Sequence, residues 1–323
     1  AGESLEPRVM LASDAHLSFT GAQGVDSVVE LMLSFDVGSQ EFLLKQDSVT
    51  VDSIKESSLT SVPGTTGLSI QSSSSQDILR LDPTSLAEFE NLTIHLVNSE
   101  ENVSGGEASV ATNDRIVIEH DGDFEFDGTV LTASAGSNTL KYTLNGFDGI
   151  DLLGSEDANE FVFSEPAESI TMPHVTILGR GGVDTVRTAS LGNQWLIGKE
   201  EASEDENSVV ISNAGTLNEV IEFRDIENVA GSQGVDAFLF LDGASISGVV
   251  DGGGGEDGLD YGRYSTPVFF DAALSTATGT GSVQNITSVT GSGNAADQLL
   301  GPAANVTWII NGENSGQIEL SES

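Results

Sequence analysis

The sequence has no cysteine and few basic residues, and both absences narrow its chemistry. Its 323 residues include 11 Lys and Arg against 51 Asp and Glu, which gives a formal net charge of −40. Without thiols, disulfides and thiolate metal sites are excluded. A surface this acidic repels nucleic-acid phosphates and anionic lipid, and it attracts cations. No apolar run approaches the roughly 18 residues of a membrane-spanning helix, which excludes a membrane span.

The residues that are present are typical of β-structure. Thirty-seven glycines, together with Ser, Asn and Asp, divide the chain into short apolar runs that alternate with polar residues. Residues 83–91 carry a helix signal of about two turns, with little else to match it. The clearest predicted strands are residues 115–119, 123–126, 160–163, 175–178 and 238–241.

An internal repeat organises the second part of the chain. Residues 231–240 (GSQGVDAFLF) match residues 154–163 (GSEDANEFVF) at an offset of 77, which places Asp236 on Asn159. Recurrence at a fixed offset is the mark of a repeat architecture. The match therefore predicts that the two loops are structurally equivalent.

A second, looser match involves both tryptophans of the chain. Residues 179–197 align with residues 291–310, so that Trp195 and Trp308 each follow a loop Asp by 11 residues. We predict that each indole packs inside its repeat, because Trp is a large, mostly buried side chain. The alternative is an exposed indole that stacks on a ligand.

Gly-rich loops that end in Asp are the most distinctive motif. They are GAQGVD (21–26), GRGGVD (179–184), GSQGVD (231–236), GGGGED (252–257) and GSGNAAD (291–297), with NGFDGID (145–151) as a looser version. Gly permits a sharp turn, and Asp supplies a carboxylate at its end, where oxygens of stacked turns can ligate calcium. The candidate calcium ligands are Asp26, Asp151, Asp184, Asp236, Asp257, Asp260 and Asp297. The favoured pair is Asp236 with Asp257; the alternative is that each loop only caps a coil.

Three resemblances to known families are present, one of them in these loops. The loops are similar to the RTX nonapeptide GGxGxDxUx of calcium-binding β-helices, although no two repeats are consecutive here. Residues 5–11 (LEPRVML) resemble the LEPR-XLL motif found near the N-terminus of very large bacterial surface proteins, with Met10 departing from it and Leu5, Glu6, Pro7, Arg8 and Leu11 matching. Residues 251–299 are similar to the β-strand repeats of such giant adhesin-like proteins. The resemblances imply an exported, calcium-associated protein of the bacterial surface or matrix.

These observations predict an all-β solenoid, closest to a right-handed parallel β-helix with irregular coils of roughly 20 residues. Residues 1–144 would form a capping or diverged β region, and residues 145–323 a degenerate Gly-Asp repeat array. The predicted function is that of a non-enzymatic structural or adhesive protein, secreted or on the cell surface, including a filament- or layer-forming one. Its expected partners are further copies of itself, other surface proteins or glycans.

Two other functions stay open, a carbohydrate-active β-helix enzyme and a carbohydrate-binding module. The four Lys and seven Arg are scattered, whereas an enzyme acting on acidic sugars needs a basic cleft, and aromatic residues make up only 6% of the chain. No HExxH, GxSxG or phosphate-loop motif is present. His120 lies beside acids and is expected to be a surface residue, with a role as ligand or base as the alternative.

Overall fold

The structure of the chain, a computed structural model, is all-β. It describes residues 16–18, 29–56, 61–62, 65–72, 77–87, 89, 91–98, 114–127, 130–135, 138–145, 147–164, 174–189, 192–202, 208–302, 306–312 and 315–320. These residues contain one helix, α1 (Pro83–Leu86). In the described ranges no helix is long and apolar enough to cross a membrane.

The strands, in chain order, are β1 (His16–Ser18), β2 (Val29–Asp36), β3 (Glu41–Gln46), β4 (Val49–Lys55), β5 (Ser61–Val62), β6 (Thr65–Ser72), β7 (Asp77–Leu81), β8 (Asn91–Asn98), β9 (Arg115–Glu119), β10 (Asp123–Phe126), β11 (Val130–Ala135), β12 (Asn138–Asn145), β13 (Gly149–Leu153), β14 (Glu160–Phe163), β15 (His174–Leu178), β16 (Thr185–Thr188), β17 (Gln194–Ala202), β18 (Ser208–Leu217), β19 (Ile221–Arg224), β20 (Asn228–Ala230), β21 (Ala237–Phe240), β22 (Ile246–Asp251), β23 (Gly258–Asp260), β24 (Phe269–Asp271), β25 (Thr276–Ala277), β26 (Thr280–Gln284), β27 (Ser288–Thr290), β28 (Gln298–Leu300), β29 (Val306–Gly312) and β30 (Ser315–Leu320).

The strand predictions are confirmed, and the helix is shorter than predicted. β9, β10 and β14 have the predicted bounds, β15 begins one residue earlier, and β21 is shifted by one residue toward the N-terminus. α1 makes a single turn, which Asp82 caps by accepting hydrogen bonds from the N–H groups of Thr84 and Ser85. Phe89 follows and packs against Phe35 and Phe42, so burial of this ring competes with continuation of the helix.

The chain forms two compact units. Unit 1 comprises Ala1–Ile118 and Asn138–Ile150, and unit 2 comprises Glu119–Ser137 and Asp151–Ser323. The predicted boundary after residue 144 falls within the second segment of unit 1.

Unit 1 contains two groups of paired strands. β1, β6, β8 and β12 pair in parallel in that order. In the other group β9, β7 and β2 are parallel, and β2, β3 and β4 form an antiparallel meander. Leucines and isoleucines in register across β2, β7 and β9 are buried and form the core of this group; they are Leu31, Leu79 and Ile116 in one row and Leu33, Leu81 and Ile118 in the next.

Unit 2 is dominated by two sheets in which most neighbouring strands pair in parallel; β18 is antiparallel to both of its neighbours, β17 and β19. The first sheet has the order β11-β10-β14-β16-β20-β22-β26, and the second has the order β27-β23-β21-β17-β18-β19-β15. Consecutive strands alternate between them, since β20 and β22 lie in the first sheet and β21 and β23 in the second. A hairpin formed by β17 and β18 and the pair β24–β25 lengthen two of the passages.

Rows of buried apolar residues run across both sheets of unit 2. In the first sheet six side chains occupy one register position on successive strands and are all at most 3% exposed; they are Phe124, Phe161, Val186, Val229, Val250 and Val283. In the second sheet Trp195 stacks on Phe238, with ring centroids 5.6 Å apart, and Phe238 lies in register with Leu259. The buried Trp195 confirms the prediction for this indole; the side chain of Trp308 lies outside the described part.

Candidate functional site

The Gly-Asp loops form the corners of unit 2. We name four of them by their first residue: loop 179 (179–184), loop 231 (231–236), loop 252 (252–257) and loop 291 (291–297). Loop 154 (154–159), which matches loop 231 but ends in Asn, is named in the same way. Loops 154 and 179 lead into strands of the first sheet, loops 231 and 252 lead into strands of the second sheet, and loop 291 leads into β28. The same motif thus serves corners that run in opposite directions between the sheets.

Asp236, at the end of loop 231, is fully buried and accepts four hydrogen bonds. Its Oδ2 accepts from the N–H of Ser232 (2.7 Å) and from the Ser232 hydroxyl (2.9 Å). Its Oδ1 accepts from the N–H (3.0 Å) and the side-chain amide (2.7 Å) of Asn193. The carboxylate therefore closes its own loop and also binds the start of the neighbouring strand β17.

Loop 154 repeats this geometry with an amide in place of the carboxylate. The N–H (2.7 Å) and hydroxyl (3.3 Å) of Ser155 donate to Asn159 Oδ1, as those of Ser232 donate to Asp236. The two loops lie 77 residues apart, at the offset of the sequence match. Their shared bonding pattern confirms the prediction that they are structurally equivalent. An oxygen at this position, rather than a negative charge, is the feature common to both loops.

Side chains that precede a strand repeatedly accept the N–H of the residue beside them on a neighbouring strand. At such a corner the N–H would otherwise lack an acceptor, and bonding to a carboxylate strengthens the contact. In unit 2 the acceptor–donor pairs are Asp257 with Asp236 (2.8 Å), Asp236 with Asn193 (3.0 Å), Asp184 with Asn159 (2.8 Å), Glu227 with Asp184 (2.9 Å) and Asp297 with Val268 (2.9 Å). In unit 1, Asp148 accepts from Asp114 in the same way (3.0 Å).

The loops stack on one another at close range. Gly255 in loop 252 has a φ of +118°, and a Cβ at this position would lie 2.1 Å from the carbonyl oxygen of Gly234 in loop 231. Gly182 in loop 179 has a φ of +97°, and a Cβ there would lie 2.6 Å from the carbonyl oxygen of Asp157 in loop 154. Only glycine tolerates both the backbone conformation and the approach.

Three loop carboxylates keep one oxygen without a hydrogen-bond partner within the described ranges. These atoms are the Oδ2 atoms of Asp184, Asp257 and Asp297. Asp184 and Asp257 are fully buried, so each unpaired oxygen is shielded from water. An unpaired, buried carboxylate oxygen favours protonation or a nearby cation.

The pKa values of these groups follow from their surroundings. Burial raises the pKa of Asp184 to about 6; the Asn159 N–H opposes the shift, while the charges of Glu227 and Asp225 add to it. Burial also raises the pKa of Asp257, against the hydrogen bond from the Asp236 N–H.

Asp297 behaves differently from the other two. Burial alone would raise its pKa, but the hydrogen bonds from the Val268 N–H and from Ser292 bring it below the usual value. Asp297 is also partly exposed, so its charge is better hydrated.

The structure brings only some of the predicted calcium ligands together. Asp236 and Asp257 meet through the 2.8 Å hydrogen bond between neighbouring loops. Asp151 lies in β13, and Asp260 accepts a hydrogen bond from the Gly262 N–H (2.7 Å); both are partly exposed. Within the ranges given above, no group of three or more acidic or histidine side chains is positioned to hold a metal ion. Asp26, like residues 5–11 of the LEPR-like motif, lies outside the described residues.

Sequence reasoning missed residues that occupy the same positions as the loop aspartates. Asn193 precedes β17 and Glu227 precedes β20, each in register with a loop Asp on the adjacent strand. Neither follows a Gly-rich segment of the loop type. The available signal was a polar residue directly before an alternating apolar run, which Asn193, Glu227 and Asp148 all satisfy.

His120 is a buried residue, so the expectation of a surface histidine is wrong. Its side chain is 8% exposed, packs edge-on against Phe124 and accepts a hydrogen bond from the Gly122 N–H at Nδ1 (3.0 Å). Burial lowers its pKa, against the charges of Asp121 and Asp123. A neutral imidazole that closes a turn accounts for these contacts.

Comparison of the chain with protein-family models, with curated proteins and with solved structures finds no match. The family resemblances rest on the motifs quoted above.

Proposed function

We propose that the chain is a non-enzymatic structural or adhesive protein of the bacterial cell surface or matrix, built as a right-handed parallel β-helix. The observation that carries the proposal is the use of the loop carboxylates. In unit 2 they accept backbone N–H groups and join one strand to the next, as Asp236 does for Ser232 and Asn193. Acids engaged in this way hold a stack of strands together and do not converge on a substrate.

The β-helix part of the proposal is supported by the order of the strands. β20 to β23 alternate between the two sheets, and Asp236 and Asp257, 21 residues apart, lie side by side. A coil of about 21 residues that visits each sheet once produces this pattern. The right-handed sense follows from the strong preference of parallel strand crossovers for that hand.

The calcium part of the proposal concerns Asp184, Asp257 and Asp297. Each keeps one carboxylate oxygen without a hydrogen-bond partner in the described part of the chain, whereas both oxygens of Asp236 are engaged. Calcium prefers oxygen ligands, and main-chain carbonyls are plentiful at these corners. Bound calcium would neutralise part of the charge of −40 and strengthen the corners.

Protease treatment of intact cells tests the location. Intact cells that produce the protein are treated with a protease that cannot enter them, and the chain and a cytoplasmic marker are followed by immunoblot. We expect the chain to be cleaved while the marker survives. Protection of the chain until lysis would contradict a surface location.

A polysaccharide panel separates the structural function from the enzymatic one. The purified chain is incubated with neutral and acidic polysaccharides, and both retention and the release of reducing ends or unsaturated uronates are measured. We expect no release above a heat-denatured control, and retention on a glycan would identify an adhesive target. Catalytic release would assign the chain to the carbohydrate-active enzymes.

A further inference from the structure

A set of three neighbouring corners occurs twice in unit 2. The first triplet consists of loop 154, loop 179 and the turn at residues 225–227, and it joins β13, β15 and β19 to β14, β16 and β20. The second triplet consists of loop 231, loop 252 and the turn at residues 285–287, and it joins β20, β22 and β26 to β21, β23 and β27. The two triplets therefore serve the two directions of passage between the sheets.

The two loops of each triplet are joined by the same hydrogen bonds. The last Asp of the second loop accepts the N–H of the last residue of the first loop, and the third residue of the second loop donates its N–H to the carbonyl of the second residue of the first loop. These donor–acceptor pairs are Asn159 with Asp184 (2.8 Å) and Gly181 with Ser155 (3.1 Å) in the first triplet, and Asp236 with Asp257 (2.8 Å) and Gly254 with Ser232 (2.7 Å) in the second.

The turns that complete the triplets are also equivalent. Each begins with a residue in the left-handed region, Asp225 with a φ of +53° and Asn285 with a φ of +54°. Two consecutive N–H groups that follow then donate to the carbonyl of the neighbouring loop Asp. These contacts are Glu227 (3.2 Å) and Asn228 (2.9 Å) with Asp184, and Thr287 (2.9 Å) and Ser288 (3.0 Å) with Asp257. The sequences DIEN and NITS of the two turns share only Ile, so the hydrogen bonds establish the equivalence.

The second triplet lacks an acceptor that the first one possesses. Glu227 Oε2 accepts the Asp184 N–H (2.9 Å), and its Oε1 accepts from the Asn213 side-chain amide (3.2 Å). Thr287 occupies the position of Glu227, but its hydroxyl donates to the Asp257 carbonyl (3.0 Å). In the described part of the chain the Asp257 N–H makes no hydrogen bond, although Asp257 is fully buried. An N–H that is shielded from water and has no acceptor weakens the fold locally.

The strand that follows the second turn is also held less tightly. β20, after the first turn, pairs with β16 and β22, whereas among the described strands β27 pairs with β23 alone. Val229 in β20 is fully buried, while the equivalent Val289 in β27 is half-buried. Local opening requires less free energy where fewer hydrogen bonds and less apolar surface are lost.

We propose that unit 2 opens first at the turn of residues 285–287, which releases β27 from β23 while the first triplet stays closed. The missing acceptor for the Asp257 N–H lowers the free energy of this opening beyond the effect of the terminal position of β27. Opening leaves one edge of β23 without a partner, and a free strand edge can pair with a strand of another chain. The residue at position 287 therefore controls how often this edge is available.

Hydrogen–deuterium exchange of the full chain, followed by mass spectrometry of its peptides, tests the proposal. We compare residues 287–290 with the equivalent residues 227–230 after correction for intrinsic exchange rates. Residues 287–290 should exchange several-fold faster, because a protected amide exchanges only when its surroundings open. Equal exchange in the two segments would overturn the proposal.

Thr287→Gln separates the missing acceptor from the terminal position of β27. Its amide oxygen has the reach of the Glu227 carboxylate and can accept the Asp257 N–H without adding charge, so exchange in residues 257–260 and 287–290 should become several-fold slower. Thr290→Gln is the matched control, since Thr290 is exposed on the same strand, and it should leave exchange unchanged. If Thr287→Gln exchanged no more slowly than Thr290→Gln, the missing acceptor would not control the opening and the proposal would fail.

Glu227→Thr makes the reverse change in the first triplet. It removes the acceptor of the Asp184 N–H and should accelerate exchange in residues 184–188 and 227–230 several-fold. Glu227→Gln keeps an acceptor oxygen and should retain the original exchange. An unchanged rate in Glu227→Thr would contradict the role assigned to this position. If Glu227→Thr does not fold, the two Gln variants of exposed threonines still decide the question.

Discussion

A side-chain oxygen directly before a strand makes the same contact at many corners of this protein. Asp and Glu occupy the position at several corners, and each accepts the N–H of the residue beside it at the neighbouring strand, as Asp236, Asp257 and Glu227 do. Asn159 instead accepts the N–H of Ser155 within its own loop. The requirement is an acceptor of suitable reach, because a buried N–H without a partner is costly. The repeated Asp is therefore explained at the residue scale by backbone satisfaction.

Removal of the Asp236 carboxylate should destabilise the fold. Asp236→Ala leaves the N–H groups of Ser232 and Asn193 without acceptors in a buried corner, which should lower the free energy of unfolding by roughly 3 kcal/mol or more. Asp236→Asn keeps one acceptor oxygen, as Asn159 does, and should cost less. Urea unfolding of the two variants checks the order, and equal losses would refute the acceptor argument.

Asp184 should make part of the stability depend on pH. Its pKa in the folded protein is about 6, above the ordinary value of 3.8, so the folded state binds more protons between these values. At pH 7 the charged Asp184 therefore lowers the free energy of unfolding. This penalty decreases as the pH falls through 6 and the carboxylate takes up a proton. Asp184→Asn should be more stable than the unaltered chain at pH 7, and the difference should shrink by pH 5.

Chemical unfolding at pH 7, 6 and 5 measures this trend. Asp242→Asn is the control, because Asp242 is exposed and a hydrogen bond from Ser265 lowers its pKa. Its effect should stay constant over this range. A constant difference for Asp184→Asn as well would show that Asp184 does not titrate near pH 6.

At the scale of elements, the loops matter because they stack. Loop 252 lies on loop 231 so closely that Gly255 approaches the Gly234 carbonyl, and this approach aligns β23 with β21. The order of the strands depends on such contacts between corners as well as on pairing within the sheets. A side chain at a stacked glycine therefore affects two loops at once.

Gly255→Ala should destabilise the protein more than Gly243→Ala. Both glycines have positive φ, +118° and +74°, so both substitutions carry a backbone cost of about 1 kcal/mol. Only at Gly255 would the added Cβ also lie 2.1 Å from a carbonyl oxygen, whereas a Cβ at Gly243 meets nothing within 4 Å. The clash should add roughly 1–3 kcal/mol. Melting curves of the two variants give the comparison, and equal midpoints would mean that the loops separate without cost.

Elements with strong local patterns could be predicted from the sequence. The alternation in residues 123–126 and 160–163 gave the bounds of β10 and β14, and their Phe residues face the core as the pattern requires. The 77-residue match identified equivalent loops. Local periodicity and turn chemistry were sufficient for these features.

Contacts between distant residues could not be predicted in the same way. The acceptor for Asp184 N–H is Glu227, 43 residues later, because the β17–β18 hairpin lengthens the segment between them. The loop carboxylates were read as ligands for a cation, but no sequence pattern indicates which N–H groups reach them. The burial of His120 likewise depends on the register that places it beside Phe124.

At the scale of the whole molecule, the net charge of −40 dominates the response to ions. Mutual repulsion among the acids opposes the compact state, so any salt should raise the melting temperature by screening. A specific calcium effect must exceed this general one. The calcium-specific effect would arise at the unpaired carboxylate oxygens of Asp184, Asp257 and Asp297.

Melting curves with millimolar calcium, with sodium chloride at the same ionic strength and after chelation separate the two effects. We expect a higher midpoint in calcium than in sodium chloride, reversed by chelation, because calcium bound to the folded state alone shifts the equilibrium toward it. Combined Asp→Asn changes at 184, 257 and 297 should remove the calcium-specific part and keep the response to sodium chloride. The same changes at Asp151 and Asp260, partly exposed acids outside this set, should keep both. Equal midpoints in the two salts would eliminate calcium from the proposed function, while the all-β fold, closed by its own hydrogen bonds at the corners, would stand.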